Sequence, residues 1–465
     1  MQALYIVISV VRAKVAALLI GAAGMGLADL YMRTMNLVGN ATNFGLSLSA
    51  VKQLSPTFSA PSEDEASQTA RRQVAQVRTW VMLTALLGAA VCVVLSPLLS
   101  RWLTGSLSQT IRLACLAPAI AFTTLAGGET AILQSAHRLR ALARATAWGA
   151  TATLAVSSAF YGLWGISGIV PMLIVSTAIL LILLLRESHR LFAYQLCGID
   201  HHFLKAGIPL LRLGSAYILA GVMASGVEMA IRAGLLRLSG GLATVGLYAA
   251  GFTLTVNYAR LLFVGVDADY YPRLSTTIGH REGNVAINRQ INLLMVLMAP
   301  FLVVLALCLP LLVRLLYTNE FTCIIPMVIC AAPSMFFKAI AMPIAYLPLA
   351  RGHSLLYLGM ELAYNILFGL LAVAGFWKGG LLGAGLALSA AHLADLVMVW
   401  SVYSQRYRYH MNRDTLFRLS ALLILLLVGL AGAMMENLGW RIGSGLGVLL
   451  LMLPVVWPVL RKFRR

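Results

Sequence analysis

The chain has 465 residues, of which 60% are hydrophobic and only 11% are charged, and its formal net charge is +19. No soluble domain of this length needs so much apolar surface, so the composition excludes an ordinary soluble globular protein. Apolar runs of about 20 residues, which match the hydrocarbon thickness of a bilayer, recur along the whole sequence. They predict a polytopic membrane protein made of helices, since the runs lack the polar–apolar alternation of barrel strands.

The apolar runs predict fourteen transmembrane helices joined by short loops. The predicted spans are about 3–20, 28–50, 79–99, 112–133, 145–163, 168–185, 212–236, 246–270, 290–313, 324–348, 354–376, 380–402, 416–434 and 442–460. The first run has no basic stretch before it and carries Arg12 and Lys14 in its middle, so no cleavable signal peptide is expected. The six cysteines form no CxxC pair and lie mostly in apolar runs, which is typical of small core residues.

Basic residues are concentrated in the loops that follow even-numbered spans and in the C-terminal tail RKFRR. By the positive-inside rule, both termini are predicted to lie in the cytoplasm. This topology signal, together with attraction to anionic membrane lipids, accounts for the net charge of +19. The basic charge is therefore not evidence of nucleic-acid binding.

Two segments, PLLSRWLTG from Pro97 and PLLVRLLYT from Pro310, repeat one pattern at an offset of 213 residues. Three further echoes have offsets of 215 to 220, and they are CLAP with CAAP, SP at 55–56 with YP at 271–272, and the arginines fourteen residues before Gly26 and Gly246. Six spans per copy make both copies insert the same way up. We therefore predict two pseudo-symmetric six-helix lobes, 1–200 and 201–410, facing each other across a cleft, with 411–465 as an additional helix pair.

Charged residues within the predicted spans are the candidate functional residues, because a central charge costs about 2.5–3.5 kcal/mol to insert. The basic candidates for a cationic, anion-binding cavity are Arg12, Lys14, Arg33, Arg232, Arg260 and Lys338. An equally good interpretation applies to two of them, because Asp29 and Glu228 each stand four residues before an arginine and can neutralise it on its own helix.

The acidic residues within the spans are candidates for ion coupling, and they are Asp29, Glu129, Glu228, Asp267, Glu361 and Asp395. Glu129, Glu361 and Asp395 have no basic partner nearby in sequence, which fits either a proton or sodium relay or a neutral acid that bonds neighbouring helices. We find no phosphate loop, no HExxH and no nucleophile elbow. No catalytic residue, metal or cofactor is predicted, and the chain is not expected to be an enzyme.

Three segments carry a resemblance to a known family. GLYAAGFTLTVNYARLLFVGVDADYYPRLS resembles span eight of bacterial polysaccharide flippases, FKAIAMPIAYLPLARGHSLLYLGMEL resembles their spans ten and eleven, and RAKVAALLIGAAGMGLADLYMRTMNLVGNATNFGLSLSA resembles their first two spans. These flippases are the Wzx-type O-antigen and enterobacterial common antigen translocases of the multidrug/oligosaccharidyl-lipid/polysaccharide (MOP) superfamily. The family often has twelve spans, so 413–465 departs from its pattern.

The resemblance implies a MATE-like fold and alternating access in the bacterial inner membrane. It implies movement of an undecaprenyl-pyrophosphate-linked oligosaccharide from the inner to the outer leaflet, for surface polysaccharide such as lipopolysaccharide. H⁺ or Na⁺ would be the coupling ion, and polysaccharide polymerase or chain-length machinery would be partners. The cavity cations of the family map to Arg12 or Lys14, Arg33, Arg260 and Lys338.

Two other functions stay open. A drug or cation antiporter of the same superfamily would need acids without nearby bases, whereas the mid-span charges here are mainly basic. A membrane-embedded polysaccharide polymerase or ligase would need a sizeable outward loop with catalytic residues, and the predicted outward loops are only a few residues long. Lys338 in mid-membrane argues against a purely structural scaffold.

Overall fold

The computed structural model describes residues 2–58, 63–198, 201–260, 262–263, 270, 274 and 280–463. Within these ranges the regular structure is helical. The helices are α1 (Gln2–Asn43), α2 (Leu46–Phe58), α3 (Glu63–Thr104), α4 (Thr110–Ala114), α5 (Ala117–Ser135), α6 (Leu139–Trp164), α7 (Ile169–His189), α8 (His201–Ser239), α9 (Leu242–Phe252), α10 (His280–Leu316), α11 (Ile325–Ala345), α12 (Leu347–Ala350), α13 (Ser354–Tyr407), α14 (Arg413–Ala433) and α15 (Leu438–Phe463). A π-helical stretch, Thr253–Asn257, follows α9.

Ten segments of the described chain are long and apolar enough to cross a membrane, and the protein is a multi-pass membrane protein. Two of the ten, Leu139–His189 and Ser354–Tyr407, are 51 and 54 residues long. A membrane core about 30 Å thick takes only about 20 helical residues, so each of these segments is long enough for two spans. Part of the predicted eighth span, 246–270, lies outside the described residues, and the total of fourteen stays a prediction.

Both long segments turn at a glycine. Gly165, between α6 and α7, has φ 54° and ψ −131°, and Gly380, within α13, has φ 56° and ψ −141°. This backbone conformation is accessible almost only to glycine. Past the second turn, Gly375 and Gly383 touch so closely that a Cβ on either would overlap the other's carbonyl. The two turning glycines are 215 residues apart, the offset of the sequence echoes, and this supports the predicted repeat.

The chain packs as two compact units, Met1–Gly246 and Leu247–Arg465. In the first unit α1 packs against α6 and α8, and α5 packs against α3 and α7. One of its cores joins Leu46 and Leu54 of α2 with Val77 and Val81 of α3 and Ile132 of α5, all of them buried. The predicted division at residue 200 concerns repeats and not packing, and it stays a prediction.

α1 is interrupted by Gly21, which has φ 61° and ψ −171°, so a single glycine separates the first and second predicted spans. Further along α1, Gly26 meets the start of α9. A Cβ on Gly26 would overlap the carbonyl oxygen of Leu242, and a Cβ on Gly246 would overlap that of Ala22. The two glycines that the sequence pairs as repeat positions therefore allow a backbone-to-backbone contact within the first unit.

In the second unit, α11 is the most buried of the apolar segments and packs against α10 and both halves of α13. The C-terminal helices α14 and α15 pack on each other and on α10. Asn292 of α10 donates to the Thr415 hydroxyl at 2.9 Å and accepts from Arg418 at 3.2 Å. The additional helix pair is therefore joined to the second unit by buried polar contacts as well as by apolar packing.

Candidate functional site

Four of the predicted site residues, Asp29, Arg33, Glu228 and Arg232, form one ion-paired set, which we call the α1–α8 quartet. Arg33 Nε lies 3.3 Å from Asp29 Oδ1 on the same helix, and Arg33 Nη1 pairs with Glu228 of α8. Arg232 pairs with Asp29 and also donates from Nη1 to the Glu228 backbone oxygen at 2.8 Å. The quartet contains two acids and two bases, so its formal charge is balanced.

The quartet shows how far the local ion-pair interpretation holds. The four-residue spacing correctly predicts the Asp29–Arg33 pair, but the side chain of Glu228 reaches Arg33 rather than Arg232. Arg232 is 1% exposed, whereas Arg33 keeps a fifth of its side chain accessible, at 21%. The quartet therefore joins two helices of the first unit, and Arg232 is too enclosed to meet a large ligand.

Glu129 has a partner that its sequence surroundings do not reveal. Arg78 of α3 binds both carboxylate oxygens, with Nε 2.9 Å from Oε1 and Nη2 3.1 Å from Oε2. Both side chains are buried, and the Ser188 hydroxyl of α7 donates to the same carboxylate. Arg78 and Glu129, which we call the α3–α5 clamp, satisfy the rule that a buried charge must be paired.

The α3–α5 clamp also holds the segment that follows α7. Arg78 Nη1 donates to the Ala193 carbonyl oxygen at 2.9 Å, and the guanidinium lies 4.9 Å from the centre of the Tyr194 ring. Burial raises the pKa of the Tyr194 hydroxyl above its ordinary value, so the ring stays neutral and offers its face to the cation. The clamp thus connects three helices and a connector through one guanidinium.

Lys338 lies among acids and a histidine that are remote in sequence. It is the half-buried member of an otherwise buried run, Ala331–Ala341, of α11. Asp395, in the second half of α13, is close enough to interact electrostatically with both Lys338 and Glu361. His392 interacts electrostatically with Lys338 as well. We call Lys338, Glu361, His392 and Asp395 the Lys338 cluster.

The hydrogen bonds of His392 fix its role in the Lys338 cluster. Its Nδ1 lies 3.0 Å from the Leu388 carbonyl oxygen, and its Nε2 lies 3.1 Å from the Tyr364 hydroxyl. A carbonyl can only accept, so Nδ1 carries the hydrogen and Nε2 of the neutral ring accepts from Tyr364. A cation, two carboxylates and an imidazole on two helices form a set that can take up or release a proton.

Arg260 and Arg12 differ from the other basic candidates. Both are exposed, and within the part of the chain that the structure describes neither has an ion-pair partner. Arg260 follows the π-helical stretch Thr253–Asn257, and such irregular turns are frequent at functional sites. Arg12 interacts electrostatically with Tyr161 of α6, Lys14 is half-buried, and Asp267 lies outside the described residues.

The candidates therefore fall into separate groups. The structure places two arginines in the quartet, one acid in the clamp and two acids around Lys338, and leaves Arg12 and Arg260 exposed. Sequence reasoning missed Arg78, His392 and Tyr364. The signal for Arg78 was available, because a buried glutamate needs a cation and Arg78 stands at the edge of a predicted span.

No family model and no curated protein matches the chain. Solved structures match over nearly the whole length. An inward-facing MATE multidrug resistance transporter of the MOP superfamily aligns with a TM-score of 0.65 and 13% identity, over 91% of this chain and 96% of that one. The lipid II flippase MurJ, in an inward closed conformation, aligns at 0.66 and 17%, over 100% and 98%.

A third solved structure is a MOP superfamily transporter from Pyrococcus furiosus Vc1, for which a binding pocket of reverse polarity is described. It aligns with a TM-score of 0.59 and 12% identity, over 90% of this chain and 94% of that one. Identities this low establish the fold and not the activity. The chain has the all-helical fold that these MATE and MurJ structures share.

Proposed function

We propose that the protein flips an undecaprenyl-pyrophosphate-linked oligosaccharide from the inner to the outer leaflet of the bacterial inner membrane by alternating access. The fold is compatible with this activity, since one of the structures that share it is a lipid II flippase. The observation that carries the proposal is Arg260, an exposed arginine in a predicted span that has no ion-pair partner among the described residues. A transporter for anions needs such a charge.

The physical argument rests on the pyrophosphate. It carries two or more negative charges and cannot enter hydrocarbon unaided, whereas its polyprenyl tail can stay in the lipid. A guanidinium can replace the water around a phosphate with two parallel hydrogen bonds. Arg260 and Arg12, which are exposed, and Arg33, which is partly exposed, are the proposed contacts, with Lys14 and Lys338 as further basic residues.

Coupling to an H⁺ or Na⁺ gradient is proposed for the Lys338 cluster. Two carboxylates close to one ammonium cannot both ionise without repulsion, so one of them is suited to bind a cation and release it when its surroundings change. Substrate and coupling ion would then meet at Lys338, because an anion near the ammonium would alter the charge balance of Glu361 and Asp395.

A drug or cation antiporter is the second candidate function. Glu361 and Asp395 favour it, since a cationic drug could bind where the coupling ion does. The exposed arginines favour the anion instead. Enzymatic polymerase or ligase activity has no specific observation in its favour.

The proposal is tested by replacing Arg260 with Gln in protein reconstituted into liposomes with a fluorescent polyprenyl-pyrophosphate glycan. Loss of one charged hydrogen-bonding partner, worth about 1.5–3 kcal/mol, should slow flipping roughly 10- to 100-fold. Arg260→Lys should be intermediate, because it keeps the charge but not the paired donors. Lys378→Gln, at the exposed turn of α13, is the control and should flip at the wild-type rate. Wild-type flipping by Arg260→Gln would refute the assigned role.

A further inference from the structure

The largest pocket of the second unit that the described residues form lies beside the first turns of α10, away from the site described above. Its volume is about 420 Å³, and its lining residues are Tyr270, Arg281, Glu282, Val285, Ala286, Arg289 and Gln290. We call it the α10 pocket. The proposed transport function uses none of these side chains.

The length of α10 places the pocket at the membrane surface. The helix has 37 residues and is about 55 Å long at 1.5 Å per residue, whereas the hydrocarbon core is about 30 Å thick. The predicted span is 290–313, so Arg281 to Arg289 extend about 14 Å beyond it, through the depth of the headgroups. Basic residues in the preceding loop predict that this end is cytoplasmic.

The charge of the α10 pocket suits an anion. Arg281 and Arg289 are both exposed, and they stand two helical turns apart on one face of α10. Glu282 is exposed as well and lowers the net formal charge of the lining to +1. Between the two arginines stands Val285, which is 58% exposed and gives the same face an apolar surface.

Gln290 provides a second and independent indication of a ligand. The residue is 3% exposed, lines the pocket, and its Nε2 has no hydrogen-bond partner among the described residues. A buried amide donor is costly to leave unpaired, so an acceptor oxygen from outside the chain is expected there. Tyr270 is not that acceptor, because its hydroxyl already donates to the Pro343 carbonyl oxygen at 2.8 Å.

We infer that the α10 pocket binds the phosphate headgroup of an anionic phospholipid of the cytoplasmic leaflet. Arg281 and Arg289 bind the phosphate, Gln290 Nε2 donates to one of its oxygens, and Val285 contacts the apolar part of the lipid. The depth of the pocket and the exposed valine favour a lipid over a soluble phosphate. The inference uses the predicted orientation but not the nature of the transported substrate.

The test measures binding of defined lipids to the purified full-length protein by native mass spectrometry and by the shift in melting temperature. The probes are phosphatidylglycerol, phosphatidylcholine, inorganic phosphate and polyprenyl pyrophosphate. Phosphatidylglycerol should bind and stabilise the protein, whereas phosphatidylcholine and inorganic phosphate should have little effect. Equal stabilisation by phosphatidylcholine, or full stabilisation by inorganic phosphate, would overturn the inference.

Variants assign the binding to the α10 pocket. Arg281→Gln with Arg289→Gln should weaken phosphatidylglycerol binding about 30-fold, from about fivefold for each basic residue near an anionic surface. The matched control is Arg138→Gln with Arg140→Gln, a pair of exposed arginines at the start of α6 that does not line the pocket. Equal loss in both double variants would show attraction to charge in general and would contradict a specific site.

Gln290→Leu provides a readout of opposite sign. Removing a buried, unpaired donor should raise the melting temperature of the lipid-free protein, while the shift caused by phosphatidylglycerol should become smaller. An unchanged lipid-induced shift would contradict the contact with Gln290. If the arginine variants instead lose polyprenyl pyrophosphate and keep phosphatidylglycerol, the pocket belongs to the substrate and the lipid assignment is wrong. None of these outcomes depends on whether the protein flips its substrate.

Discussion

Glu129→Gln should destabilise the first unit without abolishing transport. The variant leaves the Arg78 guanidinium, which is 3% exposed, without the carboxylate that binds it at 2.9 and 3.1 Å. Breaking one side of a buried ion pair costs about 3–5 kcal/mol. Arg78 keeps the Ala193 carbonyl and the Tyr194 ring, so the lower end of that range, about 3 kcal/mol, is expected. For a unit of 246 residues this is a drop in melting temperature on the order of 10 °C.

The assay is thermal unfolding of the purified protein, followed by tryptophan fluorescence, together with flipping per folded molecule. Arg78→Met combined with Glu129→Leu should recover much of the loss, because a buried pair can be replaced by apolar residues of similar volume at little cost. A relay would behave differently. If Glu129→Gln melts like the wild type but loses gradient-driven transport, Glu129 is a coupling acid and its assignment to a structural clamp is wrong.

Three further predictions concern packing, coupling and backbone conformation. Gly26→Ala should cost about 1–3 kcal/mol in overpacking against α9, whereas Gly39→Ala, with open space around it, should melt like the wild type; equal melting of both would refute the close contact. Asp395→Asn should stop gradient-driven flipping yet retain substrate binding, and wild-type flipping would remove Asp395 from the coupling site. Gly380→Ala, at φ 56°, should cost about 1–3 kcal/mol and lower the yield of monodisperse protein, and an undiminished yield would contradict a glycine-dependent turn.

Much of the fold follows from local sequence patterns. Apolar runs predict helices because a backbone in lipid must pair its own polar groups, and this holds whatever the tertiary packing. The repeated Pro-Leu-Leu segments correctly place Pro97 and Pro310 near the C-terminal ends of two long helices, α3 and α10. Helix ends were less predictable, because the junction at Gly21 is a single residue and leaves no polar loop in the sequence.

The candidate site was predictable only in part, because charges pair according to the direction in which each helix faces. Asp29 and Arg33 share a helix, and their spacing alone predicts the pair. Arg78 and Glu129 are 51 residues apart, and hydropathy carries no information about which faces of α3 and α5 meet. Lys338 likewise has no acid within a turn, yet Glu361 and Asp395 lie near it because α13 folds back on itself beside α11.

The central claim is that the transported group is an anion, and substrate selectivity in one preparation tests it most directly. Wild-type protein and Arg260→Gln are reconstituted into the same liposomes with either a polyprenyl-pyrophosphate glycan or a lipophilic cationic dye, and transport of each is followed under an H⁺ or Na⁺ gradient. The account predicts that the wild type moves the pyrophosphate-linked lipid, that Arg260→Gln moves it roughly 10- to 100-fold more slowly, and that neither protein moves the cation. Transport of the cation with no movement of the lipid would contradict the flippase and establish the antiporter.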